Sequence, residues 1–536
     1  MRIGRGVNRL FTTVVVFLAL AFLTPLLIQY APSHQVGWDD AFYLHRAACV
    51  NHGVFSSDLV SLSGCFADIH KSPMMAFWSL PWGEQAATED GAALGLVTLT
   101  FVMFVVVIAI IELLVLLAVP RLLILLASIG LFFTPLPWSV VGVYQGDVLI
   151  SLLTTLLLLL IPLELHAPEH CQRSSVARGV FWGLIFSVGV MTRPAFGVLV
   201  VLSAPMLIAL RWRRVGARTA IITTFVAVLV SSPAIVYLLV YWNELSGYAI
   251  NSAGLISKYA SYGLDWKGYL NALVERLGLG VIFFMAIGFI ACSMLISRHM
   301  SHSFRAWRGQ EKTAHLEPPI VTFLRFYPFL LLELYLGLTA LSVNHDMRYA
   351  LPFVFGLPFV AASIAIDPKK ILTQKFRRFD YMARVAISVA AAVLLSVPMS
   401  NRLDLRYVQI AEGALAALPS DRPMRVMMAS DDRGINSDTL QLARQLNIKR
   451  FHHLTIDTVV YDVLRELPLA WSLDRLVEAD AVVMLKKTPL LESPDWTNQF
   501  SVQFREYLTK IGARKQDDPT GFLEIWRIEK HGPQEG

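Results

Sequence analysis

Two adjacent carboxylates, Asp39 and Asp40, follow the first long apolar run of the chain by about two helical turns. This spacing predicts a position close to a membrane surface, with Trp38, Phe42 and Tyr43 as interfacial aromatic residues around them. A carboxylate there meets both a lipid headgroup and a water-borne molecule. In a helix the two acids point about 100° apart, so they can take different roles. The alternative is that Asp39 only caps an interfacial helix.

A second polar group follows in the same segment, where His70 and Lys71 precede an aromatic stretch. Lys71 is one of only two basic residues in this outer segment, and a lone ammonium near a membrane surface is suited to hold a phosphate. The guanidinium groups of Arg193 and Arg348, at the ends of later apolar runs, have the same property. His70 is a candidate metal ligand or phosphate donor, unless it is a plain surface residue.

Three further residues are candidates for the same cavity. Asp147 stands at the start of a later apolar run, where the alternative is a helix cap. His345 and Asp346 directly precede Arg348 and are candidates for lining a donor site.

The composition indicates what must position these side chains. Of 536 residues, 55% are hydrophobic and only 16% are charged, which is too little polar surface for a soluble protein of this length. Apolar runs of roughly 20 residues predict membrane-spanning helices. We predict about eleven transmembrane helices, near residues 10–30, 93–118, 122–141, 147–165, 178–192, 195–210, 219–242, 270–297, 320–343, 348–366 and 383–400.

The basic residues predict the orientation of these helices. With residues 178–210 split at Thr192-Arg193-Pro194, one side of the membrane carries 20 basic residues and the other six. Short cytoplasmic loops retain Lys and Arg. The N-terminus is therefore predicted to be cytoplasmic and the C-terminal part extra-cytoplasmic, and the basic excess is a topology signal rather than a sign of nucleic-acid binding. Cys49 and Cys65 can form a disulfide if their segment faces an oxidising compartment.

The chain divides into a polytopic α-helical domain, residues 1–400, with an outer loop at 31–92, and a soluble α/β domain, residues 401–536. In the tail, residues 425–429 are strand-like, a polar loop and a helix through residue 446 follow, and 481–485 and 522–528 are further strand candidates. The tail is predicted to act as a scaffold or an acceptor-docking domain, with a ligand-binding strand edge as the alternative.

Several short motifs resemble one family in their order along the chain. Asp39-Asp-Ala-Phe-Tyr43 resembles the Asp-Glu-x-x-Tyr pattern of C-type membrane glycosyltransferases, which include protein O-mannosyltransferases and lipid A aminoarabinose transferases. His70-Lys-Ser-Pro-Met-Met-Ala-Phe-Trp78 is similar to their Lys-Pro-Pro-Leu-x-x-Trp stretch, and Arg348-Tyr-Ala-Leu-Pro352 to their late Arg-Tyr-x-x-Pro element. Thr192-Arg193-Pro194 is similar to a mid-chain junction there.

The resemblance implies a polyprenyl-phosphate sugar donor and transfer to an acceptor hydroxyl on an envelope lipid, glycan or protein. By this resemblance Asp39 is the general base, Asp40 orients the acceptor or assists a metal, and Lys71, Arg193 and Arg348 neutralise the departing phosphate. A divalent metal held by His70 and a carboxylate is the one cofactor implied.

The sequence departs from the family pattern at two of these positions. Asp40 stands where Glu is common, and His70 stands where an acid precedes the lysine in aminoarabinose transferases. The implied location is a bacterial inner membrane with the tail in the periplasm. The alternative functions are a polytopic transporter or lipid flippase, and an inactive partner of an envelope complex.

Overall fold

The structure, a computed structural model, describes residues 34–57, 62, 64–66, 73–88, 91–92, 94–136, 144–166, 175–247, 266–307, 319–341, 347–366, 403–419, 422–432, 434–462, 465–486 and 498–529. Helices dominate the part before residue 367. They are α1 (Trp38–Phe55), α2 (Leu94–Leu116), α3 (Arg121–Phe132), α4 (Asp147–His166), α5 (Ser175–Thr192), α6 (Phe196–Val215), α7 (Ala217–Val240), α8 (Trp266–Leu277), α9 (Gly280–Trp307), α10 (Pro319–Leu341) and α11 (Leu351–Ile364). Three 3-10 segments, Met74–Phe77, Leu80–Ala87 and Met347–Ala350, lie between them.

The apolar helices agree with a membrane-spanning domain. Within the described residues five helices, α2, α4, α5, α6 and α7, are long and apolar enough to cross a membrane, or six if one bent pair is a single span. The predicted break at Thr192-Arg193-Pro194 is present, because α5 ends at Thr192 and α6 begins at Phe196. The predicted spans at 10–30 and 383–400 lie outside the described residues, so the count of eleven stays a prediction.

One predicted span differs from its expected form. Residues 270–297 are divided between α8 and α9, which meet at an angle of 91°. The bend falls at Gly278, whose φ of +51° lies in the left-handed region that favours glycine. Because α8 has only 12 residues, it is too short to cross the membrane itself, and it also carries charged residues.

Close packing of α5 on α7 depends on two glycines four residues apart, Gly179 and Gly183. A Cβ atom on Gly183 would lie 2.6 Å from the Cβ of Val230 and 2.7 Å from the carbonyl oxygen of Ala227. A Cβ on Gly179 would lie 2.5 Å from the carbonyl oxygen of Thr223. Small residues at this spacing let two membrane helices approach closely, so the helices gain packing contacts that larger side chains would prevent.

The C-terminal part is an α/β domain, as predicted. Its helices are α12 (Arg406–Ala416), α13 (Ser437–Leu446), α14 (Ile448–Phe451), α15 (Leu469–Glu478) and α16 (Ser501–Lys510). Its main strands are β3 (Met424–Met428), β4 (Leu454–Thr458), β7 (Ala481–Leu485), β8 (Arg514–Asp517) and β9 (Leu523–Arg527), between which lies the small hairpin β5 (Tyr461–Asp462) and β6 (Arg465–Glu466). The sheet order is β4-β3-β7-β9-β8; β3 is parallel to β4 and β7, whereas β9 is antiparallel to β7 and β8.

The C-terminal domain is attached directly to α1. The strand β1 (His34–Gln35), just before α1, pairs in parallel with β2 (Leu403–Asp404) at the start of the C-terminal domain. The N–H of Val36 donates to the carbonyl oxygen of Asp404 at 3.0 Å, and α13 packs on α1. The C-terminal domain therefore helps to hold the helix that carries the paired aspartates.

Candidate functional site

The helix α1 places its two aspartates in different environments. The N-cap residue is Gly37, which has no side-chain capping hydrogen bond, so the alternative that Asp39 caps this helix is wrong. Both aspartates lie in the first turn, where the helix dipole favours a negative charge. The side chain of Asp39 is 39% exposed, whereas Asp40 is buried. Only Asp39 is thus accessible to a substrate at this end of the helix.

Arg348 lies beside Asp39, although 309 positions separate them in the sequence. Its Nη1 atom is 3.6 Å from Oδ2 of Asp39 and donates a hydrogen bond to Oε1 of Gln145. The distance to Asp39 is beyond hydrogen-bond range, so the contact is an electrostatic pairing of two partly exposed groups. The 3-10 segment Met347–Ala350, directly before α11, holds the arginine at this place.

A second ion pair lies next to the first. Arg193, at the break between α5 and α6, donates to the carboxylate of Asp147 at the start of α4. Its guanidinium also stacks on the ring of Tyr349, 4.5 Å from the centroid, and it interacts electrostatically with Tyr335 and Tyr43. Tyr349 follows Arg348 in the chain, so the two arginines are neighbours within one cluster of alternating charge.

The outer segment after α1 is tied to the same cluster at several points. A disulfide joins Cys49 in α1 to Cys65. The hydroxyl of Tyr144 donates to the carbonyl oxygen of Met75 at 2.7 Å, and the side-chain amide of Asn51 donates to Ser79. These contacts hold the segment around residues 73–79 between α1 and the start of α4.

The structure brings together five of the predicted site residues, namely Asp39, Tyr43, Asp147, Arg193 and Arg348. His70, Lys71, His345 and Asp346 lie outside the described residues. Within the described residues no three His, Cys, Asp or Glu side chains are grouped so that they could hold a metal ion.

Sequence reasoning missed Gln145, Tyr144 and Tyr349. Gln145 is a neutral amide in a short polar interruption between two apolar runs, and nothing in its residue type marks it as a partner of a distant arginine. A useful signal is its position two residues before Asp147, the first residue of α4. Tyr349 lies inside the Arg348-Tyr-Ala-Leu-Pro352 motif, and the motif alone assigns it no separate role.

The fold and the cluster define a polytopic helical membrane protein with a charged site at one end of its helices. No protein-family model and no curated protein matches the sequence. Several solved structures show a limited similarity to the backbone fold of this chain. The archaeal oligosaccharyltransferase AglB from Archaeoglobus fulgidus, in complex with an inhibitory peptide and a dolichol-phosphate, has a TM-score of 0.44 and 11% identity over 98% of this chain and 75% of its own.

ArnT from Cupriavidus metallidurans bound to undecaprenyl phosphate has a TM-score of 0.39 and 13% identity over 97% of this chain and 99% of its own. A complex of the Archaeoglobus fulgidus oligosaccharyltransferase with Zn and sulfate has a TM-score of 0.39 and 10% identity over 97% and 74%. Each of these TM-scores lies below 0.5 and each identity below 25%, so no function follows from these similarities.

Proposed function

We propose that this protein is a glycosyltransferase that moves a sugar from a polyprenyl-phosphate donor to an acceptor hydroxyl at the outer face of the cytoplasmic membrane. The acceptor is a cell-envelope lipid, glycan or protein. The observation that carries the proposal is the partly exposed pair Asp39–Arg348, next to the pair Asp147–Arg193, at one end of the helices. One candidate base and two cations that suit a phosphate lie together there.

Asp39 acts as the general base. It accepts the proton of the acceptor hydroxyl while that oxygen forms a bond to the anomeric carbon of the sugar. The bond from this carbon to the phosphate oxygen breaks, and the electron pair leaves with the polyprenyl phosphate. Arg348, at 3.6 Å, favours the ionised form of Asp39 before the reaction.

The cations stabilise the charge that builds on the phosphate as it departs. Arg348 and Arg193 are both about one-third exposed, so a phosphate at the membrane surface reaches them without a large rearrangement. Preorganised charge of this kind is usually the largest contribution to such catalysis. Lys71 is the third cation in the proposal. Because it precedes Met75 by four residues, the covalent chain keeps the two Cα atoms within about 14 Å.

Asp40 has a supporting role in this proposal. Its side chain is buried, so direct contact with a water-borne acceptor would need a movement of α1. We assign to Asp40 the orientation of α1, and through it of Asp39. A divalent metal, if bound, would be held by His70 with a carboxylate and would add Lewis-acid stabilisation of the phosphate.

The Cys49–Cys65 disulfide supports the proposed orientation. Disulfides persist in oxidising compartments, so α1 belongs on the extra-cytoplasmic side. The C-terminal domain packs on α1 and therefore lies on the same side, which in a bacterium is the periplasm. This agrees with the basic residues that place the N-terminus in the cytoplasm. We accordingly propose the inner membrane as the location and the division into residues 1–400 and 401–536.

The transporter or flippase alternative is less well supported. It predicts ionisable groups near the middle of the membrane and paired broken helices in two matching halves. The charged cluster instead gathers at the ends of α1, α4 and α5 and at the start of α11. Within the described residues one bent helix pair is present, α8 with α9.

The test is the variant Asp39→Asn in purified protein supplied with a radiolabelled polyprenyl-phosphate sugar and envelope acceptors. We expect transfer to fall at least about 100-fold, because a general base contributes 100-fold or more. Asp474→Asn, an exposed position on α15, is the matched control and should keep full activity. An Asp39→Asn protein that is folded and as active as the parent would refute the assigned base.

A further inference from the structure

One face of α10 carries a carboxylate among exposed apolar side chains. Glu333 is the fifteenth of the 23 residues of α10, and eight residues, or about 12 Å, separate it from the C-terminal end of the helix. The residue is exposed, and Leu330, Leu334 and Leu338 beside it are 46%, 50% and 55% exposed. In the predicted span 320–343 this places a charge within the apolar length of the helix and not at its end.

Such a position is costly for an ionised carboxylate. Charged side chains within membrane helices almost always face the interior of the bundle, a water-filled cavity or an opposite charge. In the part of the chain that the structure describes, Glu333 has no cation and no hydrogen-bond donor as a partner. Tyr335, two residues further, interacts electrostatically with Arg193 and Asp147, so the opposite side of α10 faces the charged site. Glu333 therefore takes no part in that site.

Gly337 lies on the same face of α10, one turn beyond Glu333. A Cβ atom on Gly337 would meet no atom within 4 Å, so no described neighbour requires a glycine there. Glycine weakens a helix relative to alanine, whereas between membrane helices small residues let a second helix approach closely. The open glycine and the carboxylate together fit a neighbouring helix that comes close at Gly337 and brings a cation to Glu333.

The cation for Glu333 does not come from the two predicted spans that lie outside the described residues. Residues 10–30 contain no Lys, Arg or His, and residues 383–400 contain only Arg384, at the edge of the span. A second copy packed on this face would bring two Glu333 carboxylates together, and like charges repel. We infer that this face of α10 binds a transmembrane helix of another protein, and that this helix carries a Lys or Arg within the membrane.

The test uses the purified full-length protein in lipid bilayers and two synthetic transmembrane peptides. One is a leucine–alanine helix with a single central lysine, and the other is the same helix without lysine. Energy transfer to a dye on Cys292, in a protein that carries Cys171→Ser, measures the association. We expect the parent to bind the lysine peptide about tenfold more tightly than the plain peptide. Glu333→Gln should bind both alike, and it should fold at least as well because it removes a charge from the lipid.

Two matched variants control for charge and for packing. Glu275→Gln, at an exposed position on α8, removes the same charge elsewhere and should keep the preference for lysine. Gly337→Leu should weaken binding of the lysine peptide because it fills the open space, whereas Gly288→Leu on α9, at a glycine that also has no atom within 4 Å of its Cβ, should not.

Three outcomes would overturn the inference. The first is equal binding of the lysine peptide by the parent and by Glu333→Gln. The second is a parent protein without any preference for lysine, because this face would then be covered by the chain itself. The third is a parent protein that forms dimers in the bilayer and loses them in Gly337→Leu, because a second copy would then occupy the face.

Discussion

At the scale of single residues, the site is a set of opposite charges held at moderate distances. Asp39 and Arg348 lie 3.6 Å apart, and both side chains are partly exposed. Arg193 is different, since it contacts the carboxylate of Asp147 and the ring of Tyr349 at once. The geometry of a guanidinium suits this double contact, because its plane stacks while its edge donates.

The variant Arg193→Lys tests this geometry. Lysine keeps the charge but lacks the planar fork, so it loses either the stacking on Tyr349 or part of the pairing with Asp147. We expect transfer to fall about tenfold in Arg193→Lys and further in Arg193→Ala, measured with saturating donor. Arg514→Lys, at an exposed position on β8, is the control. Full activity of Arg193→Lys would show that position 193 needs only a positive charge.

At the scale of elements, α1 is fixed from several directions. The strand pair β1–β2 and the helix α13 hold it from the C-terminal domain, and the Cys49–Cys65 disulfide ties it to its own following loop. The disulfide closes a loop with a sequence separation of 16 residues. Because a disulfide across such a loop restricts the unfolded chain, it raises the free energy of unfolding by about 3 kcal/mol. The disulfide thereby keeps Cys65 close to α1, the helix that carries Asp39.

Labelling with a membrane-impermeant maleimide tests both the disulfide and the orientation. The protein carrying Cys171→Ser and Cys292→Ser keeps only Cys49 and Cys65. In intact spheroplasts we expect no label before reduction and two labels after reduction, because the thiols are paired and face outward. Two labels without reduction would contradict the disulfide. The absence of label after reduction, with labelling restored by permeabilisation, would place α1 in the cytoplasm and remove the support for the transferase.

At the scale of the whole molecule, α4 is the central helix, since its side chains are buried along its full length. One end of α4 carries Asp147, and the other end carries the buried Glu164, which pairs with Arg211 and Arg178. A buried ion pair is costly to break when only one partner is removed, so these contacts specify how α4, α5 and α6 meet. The charged site thus lies at one end of a bundle whose opposite end is held by buried ion pairs.

The contact of α5 with α7 is open to a matched test. We expect Gly183→Ala to lower the free energy of unfolding by about 1–3 kcal/mol, because its Cβ would lie 2.6 Å from the Cβ of Val230 and the helices must separate. Gly197→Ala is the control, since the nearest atom to its Cβ would lie 3.8 Å away. There, alanine should be neutral or slightly stabilising. Thermal unfolding in detergent measures both, and equal midpoints would contradict the close packing.

The sequence by itself determined the class of the fold and the residues whose side chains could take part in catalysis or binding. Apolar runs, the asymmetry of basic residues and the break at Thr192-Arg193-Pro194 follow from the free energy of placing side chains in a bilayer, which is a local property of the chain. Three strands of the C-terminal domain follow in the same way from local pattern, and residues 481–485 have the predicted bounds, whereas β4 and β8 were not predicted. Asp39, Asp147, Arg193 and Arg348 stood out because charges beside apolar runs are costly.

Only the tertiary structure decided which of these charges meet. The pairing of Arg348 with Asp39, the bond from Arg348 to Gln145 and the packing of α13 on α1 join residues that are far apart in the sequence. Such contacts depend on how the helices pack and on where α8 bends away from α9, and residue type and spacing do not encode these at short range. For the same reason the neutral Gln145 became significant only when its distant partner was known.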